Sequence, residues 1–96
     1  MDPIRRAAKI KEALYVRGVT LNDIDCEYQL PPGTARTTLR EPNAKGEVAI
    51  AAALAVEPHE LWTERYEPGG QRREPQPREN YRRLPTLRQR RNERAA

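Results

Sequence analysis

The chain has 96 residues, of which 36% are hydrophobic and 33% charged, with no Phe and a formal net charge of +4. That apolar supply suits one small helix-built domain and leaves part of the chain outside any core. No apolar run approaches the roughly 18 residues of a membrane span, and a lone Cys26 excludes an internal disulfide. In chain order, Asp2 and Pro3 read as N-cap and first residue of a helix. Ile4, Ala7, Ala8, Leu14 and Tyr15 follow near helical spacing, Lys11 is the polar break, and Ile10 and Leu14 repeat at i and i+4. Gly18 is the stop signal. Thr20, with Asp23 three residues on, opens a second helix in the manner of a capping box. Leu21, Ile24 and Tyr28 form its apolar stripe, and Leu30 is expected to plug the core beyond it.

Pro31-Pro32-Gly33 then breaks the chain. A short third helix is expected from Pro32 or Gly33 to Arg40, with only Ala35 and Leu39 to bury and Thr34, Arg36, Thr37 and Arg40 elsewhere on its surface. Glu41 to Gly46 reads as a loop. The fourth helix, Glu47 to about Val56, is apolar on most sides and is expected to be the central buried one. A fifth helix runs from Pro58 to about Arg65 with Leu61 and Trp62 inward. From Glu67 on, Pro68, Gly69, Gly70, Pro75, Pro77 and Pro85 replace any core periodicity, and a largely disordered tail is expected, with a short basic helix near 86–96. The domain is thus read as 1–66 and the tail as 67–96. The charge divides at the same place. Met1 to Tyr66 holds nine Lys+Arg against ten Asp+Glu, while Glu67 to Ala96 holds nine Arg against four Glu.

Two short helices joined by a tight turn and packed under a buried helix are what a helix-turn-helix needs to enter the major groove of DNA. On this reading the fold is all-α, five short helices around a central helix-turn-helix. Pro32, Gly33 and Thr34 are placed at the groove or phosphate edge, where a helix N-terminus offers N–H groups to an anion. Arg36, Thr37 and Arg40 have the reach. An Arg can donate to guanine O6 and N7 together, and a Thr can donate to phosphate or rest its methyl on thymine. Lys45 is placed in the following loop to neutralise a phosphate.

The segment Thr20 to Tyr66 resembles the Ner-like (Nlp) family of phage-type DNA-binding regulators, within the lambda-repressor-like helical superfamily. The resemblance rests on Lys45-Gly46-Glu47, on the Ala-rich helix through Ile50 and Leu54, and on Pro58-His59-Glu60-Leu61-Trp62 followed by Arg65-Tyr66. It implies a five-helix domain whose third helix enters the major groove, in small regulators that repress or activate nearby promoters and are often prophage-linked. It places the groove-facing positions on Pro32, Gly33, Thr34, Arg36, Thr37 and Arg40, and matches Lys45 to the family's own Lys. Two positions depart from the helix-turn-helix pattern. Asp25 stands where a small residue is usual, and Gln29 where the turn usually has Gly. Asp23, Asp25 and Glu27 make the second helix acidic, which is expected to repel phosphate.

The tail keeps three readings open: a solubilising linker, a DNA arm, or a segment that docks RNA polymerase or another regulator. Its Arg72-Arg73, Arg82-Arg83 and Arg90-Arg91 doublets are the candidate phosphate or partner contacts. An adaptor that docks on transcription-machinery or phage-type partners with little direct DNA reading is the rival to a sequence-specific regulator, and the acidic second helix motivates it. His59 and Cys26 stand at unrelated positions and do not suggest a metal site. Glu57 and Glu60 near a helix start serve the helix dipole. No nucleophile with a base, Gly-rich phosphate loop or paired carboxylate points to catalysis. The expectation is a cytoplasmic, nucleoid-associated protein with no cofactor, small-molecule ligand or membrane partner, acting on double-stranded DNA.

Overall fold

Local signals place the helix starts, and tertiary contacts decide their lengths. The computed structural model describes residues 3–81; Asp2 and the expected helix near 86–96 lie outside them. Five α-helices follow in order: α1 (Pro3–Val16), α2 (Leu21–Glu27), α3 (Thr34–Thr38), α4 (Ala44–Ala53) and α5 (Pro58–Leu61). Two 3-10 turns, Thr63–Arg65 and Arg78–Tyr81, complete the described chain. The architecture is the all-α one expected, with α2 and α3 as the helix-turn-helix.

Thr20 caps α2 as a full capping box. Its hydroxyl accepts from Asp23 N, and the Asp23 carboxylate accepts from Thr20 N, both at 2.9 Å. The fourth helix begins earlier than its apolar run suggests. Asn43 caps it by accepting from Gly46 N at 2.9 Å, which draws Ala44, Lys45 and Gly46 out of the expected loop and into the first turn. The expected fifth helix breaks at Trp62, where the backbone leaves helical geometry, and resumes as the 3-10 turn. Ile10 and Leu14 from α1, Ile24 from α2, Ala35 and Leu39 at α3, Ala49, Ile50 and Leu54 at α4, and Trp62 form the core. Fully burying each large aliphatic side chain contributes about 1.5–3 kcal/mol. The α1 stripe is narrower than its spacing suggests, because Ile4 and Tyr15 are exposed.

Two positions hold α3 close against α4. Thr38 is buried, with its hydroxyl donating to the Thr34 carbonyl at 2.7 Å. Gly46 lies against that side chain, so closely that a Cβ there would overlap Thr38 Oγ1 and stand 2.9 Å from Thr38 Cβ. The α3–α4 approach therefore requires the glycine.

The chain does not leave the domain at Tyr66. Residues 67–81, read from composition as the start of a disordered tail, turn back onto it. Glu67 N donates to Gln71 O, Tyr66 and Arg72 form a single antiparallel bridge, and Arg73 N donates to Arg65 O at 3.0 Å. Gln76 then donates to the Arg65 and Arg73 carbonyls, and Asn80 to the Glu64 carbonyl. The physical reason is polar satisfaction rather than apolar burial. The Gln76 and Asn80 amides serve carbonyls of the domain, and Arg72 adds a second cation to the Glu47 carboxylate.

Candidate nucleic-acid interface

At five residues, α3 is far below the roughly 12–15 at which an isolated helix becomes marginal in water. Its geometry is imposed from both ends. Gly33, at the N-cap in left-handed conformation (φ 88°), has no side chain to cap the helix. Asp25 of α2 supplies the cap from a distance: its carboxylate accepts from Gly33 N and from Ala35 N, each at 2.9 Å. Asp25 is 4% exposed. At the other end Arg65 donates to the Thr38 carbonyl at 2.8 Å. The connecting turn carries Gln29 in left-handed conformation (φ 55°), the geometry for which glycine is the usual choice at that place.

This overturns two expectations. Asp25 does not add to an acidic face, because it is folded inward as the N-cap of α3. The N–H groups of Gly33, Thr34 and Ala35 at the start of α3 are likewise not free for a phosphate. Gly33 N and Ala35 N serve Asp25, Thr34 N serves the Pro31 carbonyl, and the Thr34 hydroxyl donates to that same carbonyl at 2.7 Å. Pro32 and Gly33 are exposed on the turn and Thr34 is half-buried.

The remaining candidates are presented outward. Ala35, Thr38 and Leu39 are buried, while Arg36, Thr37 and Arg40 are exposed. Among the described residues no ion pair occupies either guanidinium. Lys45 is exposed in the first turn of α4 rather than in a loop. The Arg72-Arg73 doublet is already engaged. Arg72 donates to Glu47 at 3.2 Å and to Glu74 at 2.6 Å, and Arg73 pairs with Glu67 at 3.7 Å. Arg82, Arg83, Arg90 and Arg91 lie outside the described residues.

Behind this face sits a buried carboxylate, Glu47, to which the sequence assigns no site role. Glu47 is fully buried. Its Oε1 accepts from the Tyr66 hydroxyl at 2.7 Å and from Arg72, and its Oε2 accepts from Asn43 N at 2.7 Å and from Arg65 at 3.3 Å. The Arg65 guanidinium lies 4.9 Å from the centroid of the Trp62 ring, within cation–π range. Burial lowers the pKa of Arg65 from its ordinary value, with Glu47 pulling the other way. The Trp-x-x-Arg-Tyr run thus closes the domain by placing Arg65 and Tyr66 on one carboxylate, with the Trp62 ring against the Arg65 guanidinium, and by reaching α3 through Thr38.

Residues 6–79 match the family described as winged helix-turn-helix DNA-binding. The chain belongs to that family. No curated protein and no solved structure matches it. In this winged helix-turn-helix protein the described residues contain no strand ladder; the Tyr66–Arg72 bridge is the one antiparallel pairing they show. Membership makes double-stranded DNA the partner class. Among the described residues, no helix is long and apolar enough to cross a membrane, and no group of three or more His, Cys, Asp or Glu is placed to hold a metal ion.

Proposed function

We propose that this winged helix-turn-helix protein is a sequence-specific transcription regulator of the Ner-like kind, phage- or prophage-derived, that inserts α3 into the major groove of promoter or operator DNA. The observation that carries this reading is the division of α3. One side is locked by Asp25, Arg65 and Gly46, and the other presents Arg36, Thr37 and Arg40 without internal partners. Arg36 and Arg40 read base edges, Thr37 contacts phosphate or a thymine methyl, and Lys45 neutralises a phosphate. Pro32, Gly33 and Thr34 are the turn's approach to the backbone. Arg82, Arg83, Arg90 and Arg91 add phosphate contacts or engage RNA polymerase or another regulator, in a cytoplasmic, nucleoid-associated setting. The inward turn of Asp25 removes part of the motive for the adaptor reading.

The test is selection of duplexes from a random library by the full chain, followed by footprinting on DNA flanking its own gene. Arg36→Ala and Arg40→Ala are each expected to lose about 1–3 kcal/mol of discrimination at one position of the selected site, with the helical circular dichroism unchanged. Retention of wild-type preference by both variants would remove α3 from the groove.

A further inference from the structure

The α1 helix contributes nothing to the interface as read from α3, yet the two helices share an open groove of about 500 Å³. Lys11 reaches it from α1, and Arg36 and Arg40 reach it from the α3 region. Its floor is apolar, made by Ala7 and Ala8 on one side and Leu39 on the other, with exposed Ile4 at one edge. Every charged residue that lines it is a cation. Lys11 interrupts the apolar spacing of α1 and is exposed. Three like charges around one concavity repel one another in the free protein, and a polyanion relieves that repulsion.

From this we infer that the groove between α1 and α3 seats one sugar–phosphate strand of the duplex, with Lys11 as a phosphate contact. The inference rests on α3 lying in the major groove. A helix in that groove is flanked by the backbone strands that bound it, and the strand on the α1 side meets this concavity. Lys11 faces a phosphate, while Ala7, Ala8, Leu39 and the aliphatic stems of Arg36 and Arg40 meet deoxyribose carbons, leaving the two guanidinium groups to the base edges. A free small anion would leave that apolar floor uncovered, whereas a backbone strand presents both chemistries together. Lys11 therefore sets affinity and orientation and carries no sequence information.

The experiment measures binding of the full chain to a selected duplex and to a scrambled duplex of equal length, between 50 and 200 mM salt. Lys11→Ala is expected to weaken both duplexes by the same factor and to reduce the salt slope by about one. Over that range the wild type then loses roughly three- to fourfold more affinity than the variant. Lys11→Arg keeps the wild-type slope. Lys9→Ala, a cation on the same helix that lines a different cleft beside Ile10 and Leu61, also keeps it. A wild-type slope for Lys11→Ala, an equal loss in Lys9→Ala, or weakening of the selected duplex alone would each overturn the assignment while leaving α3 as the reading helix. Absence of binding to any duplex by the wild type at 50 mM salt would overturn both.

Discussion

Two buried carboxylates hold α3, and they do so with different chemistry. Asp25, on α2, accepts from two backbone N–H groups at the start of α3. Glu47, on α4, accepts from two guanidinium groups, a phenol and one backbone N–H, and acts on the end of α3 through Arg65 and the Thr38 carbonyl. The first is an N-cap supplied from another helix, where a negative charge also suits the helix dipole. The second is a buried ion cluster. The difference lies in what each would leave behind. Without Asp25, two neutral donors lose their acceptor, and one of them belongs to exposed Gly33, where water can replace it. Without Glu47, the guanidinium of Arg65, 2% exposed, loses its counter-charge and cannot reach water.

Glu47→Ala should therefore be the more damaging change. Stranding a buried charge costs about 3–5 kcal/mol, a large part of the roughly 5–15 kcal/mol that holds a typical domain together. Urea unfolding followed by circular dichroism is expected to show this as a lowered midpoint. Glu47→Gln, which keeps the shape and one acceptor, should fall between the variant and wild type. Asp25→Ala is expected to cost less, about 2–3 kcal/mol for two hydrogen bonds to a charged acceptor with partial replacement by water. If Asp25→Ala proved as costly as Glu47→Ala, the distinction between a capped helix end and an ion cluster would collapse.

The contrast also explains what could be read in the sequence. Helix starts were legible where the capping residue is adjacent: Thr20 with Asp23, and Pro58 at the first turn of α5. The cap of α3 was not, because the accepting carboxylate stands eight and ten residues upstream of the N–H groups it serves. Two signals for it were nonetheless present. Gly33 cannot cap with a side chain, and Asp25 lies one helical turn after Leu21, beside buried Ile24, on the inward side of α2. The exposed set Arg36, Thr37 and Arg40 followed from the poverty of apolar residues in α3. The side-chain partners of Glu47 lie 18 to 25 residues away in sequence, and local periodicity carries no record of them. For the same reason the return of residues 67–81 was invisible in composition. Pro and Gly report the absence of helix and core periodicity, whereas Arg72, Gln76 and Asn80 act through single polar contacts that no periodic pattern encodes.

The smallest effect, and the one that most sharpens the comparison, concerns the neutral member of the Glu47 cluster. Tyr66→Phe removes one hydrogen bond to a charged acceptor and leaves Glu47 Oε1 with Arg72, at a cost of about 1.5 kcal/mol. Its signature is pH dependence. Burial, and then the hydrogen bond and charge of Glu47, push the Tyr66 phenol above its ordinary value near 10. A folded-state pKa raised in this way means that the unfolded chain gives up the phenolic proton more readily than the folded one. The contribution of Tyr66 to stability is therefore complete below about pH 10 and is lost as pH rises beyond it. Deprotonation removes the donor and sets a phenolate against the Glu47 carboxylate. Asp25 has no such titrating partner, because backbone amides bind it. Urea midpoints measured at pH 8, 9, 10 and 11 should fall at the alkaline end for the wild type and for Asp25→Ala alike, and fall less for Tyr66→Phe. An alkaline decline unchanged by Tyr66→Phe would show that the phenolic proton is not what Glu47 holds.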